Sequence, residues 1–251
     1  MSNPKESEAI LLRKVELRET SLLLTFYTKE SGKISGVIKG VRSPQPQFAG
    51  VYEPFTLDKV TYYEKKNKDL FVISQCDLLE YFAPIRADIE CIAYAGYFIE
   101  FVDSVCQASE KNEDIFFLLR DSLNAIANKK GSIKRIARVF EIKLLNLLGL
   151  MPRLKQCVEC DSKDTFNGAF SIKNGGMLCG KCIKKDITSR KILQGTVNFM
   201  DFISTMPYEK TLRINVTEKV GKDLEDVLRG FLDYHVQKRF KSLEFMRQIG
   251  V

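Results

Sequence analysis

Four of the seven cysteines fall into two CxxC pairs, Cys157 with Cys160 and Cys179 with Cys182, held 18 residues apart. A CxxC turn places two sulfurs at neighbouring corners of a metal tetrahedron, and a second pair at this spacing completes it in the manner of a zinc ribbon. Between the pairs, "AFSIKNGGMLC" predicts a hairpin turning at Gly175-Gly176, where glycine supplies the conformational freedom that a tight turn needs. A redox device would need one CxxC at a helix start beside a βαβ unit, and no such unit is written here. A catalytic metal would keep an open position, usually with His, Asp or Glu ligands. The single histidine, His235, lies far along the chain in a helical segment and reads as a surface or packed residue. The expectation is a closed, structural Zn²⁺ site, with an iron–sulfur cluster sharing the same ligand set as the alternative.

The rest of the sequence sets the context for that site. At 251 residues the chain can bury a substantial core as one to three domains. It has no apolar run of membrane-spanning length, and "MSNPKESEAI" opens with two glutamates where a signal peptide would have a basic then apolar start. A cytoplasmic protein is therefore expected, a setting that favours thiolate ligands over disulfides. Cys76, Cys91 and Cys106 are scattered in apolar or helical contexts and read as buried small hydrophobes.

Two periodicities divide the chain. Residues 8 to 80 hold five short β-branched and aromatic runs, "EAILLRKVEL", "SLLLTFYT", "KISGVIKGV", "EPFTLDKVTYYE" and "LFVISQCDLLE", separated by turn signals. Five strands in so short a span suggest a small closed barrel of OB type, with an SH3-like barrel as the alternative. From Pro84 the period becomes helical. One helix is expected through residues 85–105 with Ile85, Ile89, Ile92, Gly96, Ile99 and Val102 inward, and another at "EDIFFLLRDSLNAIAN". A third is expected from the cap at Ser132, through Ile133, Ile136, Phe140, Leu144 and Leu147, to Gly149 and Pro152. Its other face shows Lys134, Arg135 and Arg138. After the cysteines, "VNFMDFIST", "TEKVGKDLEDVLRGFLDYHVQ" and "KRFKSLEFM" are again helical. The fold class is α+β, with a barrel domain over 1–82 and a helical domain over 83–251 that carries the ribbon as an insert at 153–190.

No phosphate-cradling GxxxxGK[ST], GxGxxG, GxSxG or HExxH occurs. Paired carboxylates such as Glu225-Asp226 fall on a helix surface, and with one histidine and no paired nucleophile an enzyme lacks its parts. Basic residues cluster instead. Lys33, Lys39 and Arg42 have no acid among them, residues 129–143 carry six cations against Glu141, and residues 181–191 carry five against Asp186. A polyanionic partner and an ordinary solvated basic face explain this charge equally well.

"LLNLLGLMPRLKQCVEC" (144–160), "FSIKNGGMLCGKC" (170–182), "ETSLLLTFYTKESGKISGVIKGVRSP" (19–44) and "FLDYHVQKRFKSLEFM" with Ser242-Leu243 occur in the order of the bacterial RecO family of recombination mediators, which this sequence resembles. It departs from that family in having only "KGVRSPQPQ" where many members carry an arginine-rich run. The resemblance implies a non-enzymatic DNA repair factor with an OB barrel and a zinc-bearing helical domain. Such a factor binds single- and double-stranded DNA, anneals complementary strands, engages the single-stranded-DNA-binding protein, and acts with RecR to load RecA. A cytoplasmic, nucleoid-associated location follows.

On that reading Lys33, Lys39, Arg42 and Lys59 would follow phosphates along the barrel, with Tyr27, Phe48 and Tyr52 as candidate stacking rings, although each ring taken alone reads more readily as barrel core. Lys134, Arg135 and Arg138 would extend the track. Lys238, Arg239 and Arg247 are the cations expected beside an acidic partner tail. A zinc-ribbon factor for RNA or transcription is the rival reading, and a metal-dependent nuclease would need a carboxylate cluster that the sequence lacks.

Overall fold

The computed structural model describes residues 3–17, 20–41, 52–64 and 70–251. In chain order the elements are β1 (Lys5–Leu17), β2 (Ser21–Thr28), β3 (Gly32–Ile38), β4 (Thr56–Tyr63) and β5 (Phe71–Tyr81), then helices α1 (Ala83–Arg86), α2 (Ile89–Val105), α3 (Glu113–Ala127) and α4 (Ile133–Leu147). The hairpin strands β6 (Ala169–Ser171) and β7 (Gly176–Leu178) follow, then α5 (Gln194–Thr205), α6 (Tyr208–Thr211), α7 (Glu218–His235) and α8 (Lys241–Ile249). The chain divides into two compact units, Met1–Lys129 with Phe240–Val251, and Lys130–Arg239.

In the first unit the five strands close into a barrel in the order β1-β2-β3-β5-β4, the strand arrangement of an OB-fold. β1 makes closure possible by pairing with two neighbours: Lys5 to Ile10 face β4, and Ala9 to Leu17 face β2. An irregularity between Leu11 and Arg13 bends the strand between the two partners, as bulges do. The last seam is a short parallel pairing, Gly36 with Phe71 and Val37 with Val72. Any Cβ at Gly36 would come within 2.7 Å of Ile73, so the seam needs a glycine there. Leu24, Phe26, Ile34, Ile38, Val60, Tyr62 and Ile73 fill the interior, each large side chain contributing about 1.5–3 kcal/mol by leaving water.

The β2–β3 turn is tied to the segment before α3. Gly32 has φ +64°, and a Cβ there would lie 1.9 Å from the Glu110 carbonyl oxygen, so glycine is required twice over. The expected helix through 85–105 is instead two helices. Asp88 caps a fresh start, its carboxylate accepting from the N–H groups of Glu90 (2.9 Å) and Cys91 (3.4 Å). The expected inward stripe changes as well. Ile89 is exposed, and Ile92 and Gly96 are half-buried, because α2 is covered on several sides by β1, α1, α3 and α8. Its ring cluster joins Tyr97, Phe101 and Phe240, with centroids 5.3 to 5.8 Å apart. Glu100 then caps α8 by accepting from Lys241 N (2.9 Å), Ser242 N (2.8 Å) and Ser242 Oγ (2.5 Å).

The second unit is a bundle of α4, α5 and α7 with the cysteine insert. α4 packs against α5 and α7, and Ile136, Phe140, Leu144, Phe199, Met200, Ile203, Leu224, Val227 and Leu228 are buried along them. α4 ends in a Schellman closure, with Leu150 N bonded to the Leu145 carbonyl (2.8 Å) and Gly149 N to the Asn146 carbonyl (3.1 Å). Gly149 adopts φ +69° as that closure requires. Thr217 caps α7 by accepting from Val220 N (3.3 Å). Ser132 stands at the cap of α4 without a capping side-chain bond. Among the described residues no helix is long and apolar enough to cross a membrane.

Candidate metal centre and basic faces

The two CxxC turns bring the Sγ atoms of Cys157, Cys160, Cys179 and Cys182 within 4.8 Å of one another. Cys160 and Cys179 sulfurs are 3.6 Å apart, close to the edge of about 3.8 Å that four ligands at a Zn–S distance of about 2.3 Å would define. Each turn is drawn tight by its own backbone: Asp161 N reaches the Cys157 carbonyl (3.0 Å), and Cys182 and Ile183 N reach the Cys179 carbonyl (2.9 and 3.0 Å). Burial pushes the Cys157 thiol up, but N–H groups from Cys179, Glu159 and Cys160 outweigh it and hold the group low, at about 6. Burial, then the neighbouring sulfurs, push Cys182 up to about 12. Crowded thiols of this kind release their protons together when a cation joins them. The four sulfurs fit a thiolate-bound ion and close its coordination shell.

The insert is stitched at both ends and anchored to the bundle. Arg153 pairs with the β7 strand through Arg153 N to the Gly175 carbonyl and Met177 N to the Arg153 carbonyl (both 2.9 Å), while Phe170 and Arg190 exchange bonds of 2.7 and 3.0 Å. His235 of α7 lies with Nε2 2.7 Å from the Ile172 carbonyl and its ring 4.2 Å from Phe231. It is a packed histidine that holds the hairpin turn.

The expected DNA-facing cations fall into distinct settings. Lys39 is exposed at the end of β3. Lys59 is paired with Glu6 at 2.7 Å with both groups about half exposed, and such a pair is worth little in water. Lys33 is largely covered: its Nζ donates to the Asp103 carbonyl (2.6 Å) and lies 3.5 Å from that residue's carboxylate. Arg42 and Phe48 lie outside the described residues. Tyr27 and Tyr52 are core residues rather than exposed rings, and the Tyr27 hydroxyl donates to the Asn112 carbonyl (3.1 Å).

On α4, Lys134 is exposed and Arg135 donates to Asn215 and to the Ile214 carbonyl. Both line a cavity of about 590 Å³ with Phe199, Val216 and Lys222. Arg138 corrects the expected exposed face. It is 6 % exposed, with its guanidinium 3.1 Å from the fully buried Glu141 and 3.8 Å from Glu225 of α7. The helical period put it opposite the apolar stripe, but α7 covers that side too. Lys238 and Arg239 are exposed in the second unit and Arg247 on α8 in the first. Glu141 is a local partner of Arg138, but Asp103 beside Lys33 and Glu225 beside Arg138 carry no local sequence signal because they lie many residues away.

Residues 1–82 match the family model for recombination protein O, N terminal, and residues 86–244 the model for recombination protein O, C terminal. DNA repair protein RecO of Pelotomaculum thermopropionicum is 31% identical over 245 residues, covering 98% of this chain and 94% of that protein. The protein of the same name from Moorella thermoacetica is 29% identical over 247 residues, covering 98% and 91%. That from Desulforamulus reducens is 31% identical over 244 residues, covering 96% and 93%. With a closed five-stranded barrel, a helical bundle, a four-cysteine ribbon and family matches along nearly its whole length, the chain belongs to the RecO family.

Proposed function

We propose that this protein is a DNA repair and recombination mediator that binds single- and double-stranded DNA, anneals complementary strands, and acts with RecR to load RecA onto strands coated by single-stranded-DNA-binding protein. The observation that carries this reading is the OB barrel at the head of a chain that matches the RecO family along nearly its whole length. Its work is binding and positioning rather than bond chemistry. Annealing requires two polyanions to approach, so the protein must neutralise phosphates without reading bases. Lys39 and Lys59 on the barrel, with Arg42, and Lys134 and Arg135 on α4, are the cations assigned to this.

Zn²⁺ is the ion assigned to Cys157, Cys160, Cys179 and Cys182. When bound it supplies structural closure of the ribbon, where Cys157, Leu178, Cys179, Cys182 and Val158 form a small apolar cluster around the site. Lys238 and Arg239 in the second unit, and Arg247 in the first, are the cations assigned to an acidic tail of the coating protein, since cations suit a short acidic-hydrophobic peptide. The location assigned is the cytoplasm, at the nucleoid.

Fluorescence anisotropy of a labelled single strand across a salt series tests the DNA-binding step. Replacing Lys39 and Lys134 together by alanine should lower affinity for every sequence alike and reduce the salt slope by about 1 per lysine removed. An unchanged slope removes these faces from the account. A competing RNA that displaces the DNA more effectively than unlabelled DNA would favour the RNA-binding rival.

A further inference from the structure

The ribbon holds a large aromatic ring almost entirely in water. Phe166 is 85 % exposed on the loop between the first cysteine pair and β6. That loop is held: Asp164 N donates to Ser162 Oγ (3.3 Å), Phe166 N to Asp164 Oδ1 (3.4 Å), and Gly168 N to the Thr165 carbonyl (2.9 Å). The Ser162 carbonyl accepts from Cys157 N (2.8 Å), tying the loop to the first cysteine turn. On its other side the loop lies against the second turn, since a Cβ added at Gly180 would stand 3.5 Å from the Asn167 carbonyl oxygen. Gly180 is followed by Lys181. The ring is therefore carried on the same small rigid body as Lys181 and, one 3-10 turn later, Lys184.

The charges around it leave an excess of cations. Lys181 and Lys184 are exposed. The acids of the ribbon have partners of their own: Glu159 is paired with Lys185 (2.8 Å), Asp161 with Arg153 (2.6 Å), and Asp186 accepts from Ser171 and Thr188. Asp164 is engaged with the backbone of its own loop.

We propose that this end of the ribbon is a second single-strand contact, in which an unpaired base stacks on Phe166 while Lys181 and Lys184 hold flanking phosphates. Sequence-tolerant single-strand sites combine these two parts, a ring for the base face and lysines for the backbone. A stable protein interface would bury about 800 Å² per side. Phe166 is flanked instead by Lys163, Asp164, Thr165 and Asn167, which suits a single nucleobase. The contact rests on the DNA-binding reading above and adds to it a face in the second unit.

The test compares the full-length protein with Phe166→Ala, Phe166→Tyr and the double variant Lys181→Ala with Lys184→Ala, each first shown to retain its bound metal. Affinities are measured for a thymidine oligonucleotide and for an abasic strand of the same length. Wild-type protein should prefer the strand with bases. Phe166→Ala should weaken binding to that strand about 5-fold or more and leave the abasic strand unchanged, and Phe166→Tyr should restore the preference. The lysine variant should weaken both strands and lower the salt slope by about 2. If Phe166→Ala binds both strands as wild type does, or if it loses only capture of a protein partner, the ribbon contact is wrong while DNA binding stands. If wild-type protein binds neither strand, the DNA-binding reading falls and the ribbon contact with it.

Discussion

Asp58 is a carboxyl inside the barrel, and its removal has a calculable consequence. It lies on β4 with 1 % exposure. Thr56 Oγ1 donates to Oδ2 at 2.8 Å, while Oδ1 is buried with no hydrogen-bond partner among the described residues. Burial pushes its pKa from 3.8 up to about 7, against the opposing effect of Thr56. The phenol of Tyr52 and the thiol of Cys76 lie near it, and burial raises both; among the described residues no cation offsets the burial of Asp58.

The folded carboxyl thus keeps its proton to about pH 7, whereas the unfolded chain releases it near 3.8. Between those values the folded state binds the additional proton, so stability is greatest at the acid end and declines as pH rises through the folded pKa. The gap of about three pH units at about 1.36 kcal/mol each corresponds to about 4 kcal/mol in total. Asp58→Asn preserves the shape and removes the titration. Urea unfolding followed by far-UV circular dichroism at pH 5, 6, 7 and 8 gives the stability difference between variant and wild type, in which the other titrating groups cancel. That difference should grow in favour of Asp58→Asn by about 2–3 kcal/mol from pH 5 to 7 and then level off. A difference that stays constant from pH 5 to 8 would refute the reasoning, because it would mean that Asp58 is ionised in the folded barrel throughout.

Two further perturbations separate structural from binding roles. Arg138→Ala should destabilise the second unit by about 3–5 kcal/mol, because it removes the cation paired with the buried Glu141 carboxylate. At temperatures where the variant stays folded, the salt slope of DNA binding should be unchanged, whereas an exposed phosphate contact would lower it. The four-cysteine site should hold one zinc ion per chain, and Cys182→Ser should lose it along with hydrogen-exchange protection across 153–190. Because thiolate ligands must shed protons, dialysis at pH 5 should release metal that dialysis at pH 8 retains; protection that survives complete metal removal would contradict the structural role.

The parts of this fold that were legible in the sequence are those whose interactions are local. β2 was readable residue for residue, because "SLLLTFYT" is bounded by turns, and the cysteine cluster was readable because two tight turns carry all four ligands. The end of α4 at Gly149 is also a local matter, decided by the left-handed conformation that closes the helix. What stayed hidden depends on distant partners. The β3–β5 seam is a parallel pairing across more than thirty residues. Lys33 reads as a free cation until Asp103 arrives from α2, and Arg138 reads as a surface residue until α7 brings Glu225 over it. The break at Asp88 had a local capping signal, but the continuous spacing of isoleucines through 85–99 masked it.

The proposed mediator role requires that complementary strands be brought together even when single-stranded-DNA-binding protein already covers them. Annealing of two such coated strands, one labelled with a donor and the other with an acceptor fluorophore, measures this directly. Adding the protein should speed duplex formation in a concentration-dependent way that weakens as salt rises. Coated strands that anneal no faster with the protein than without it would contradict the account.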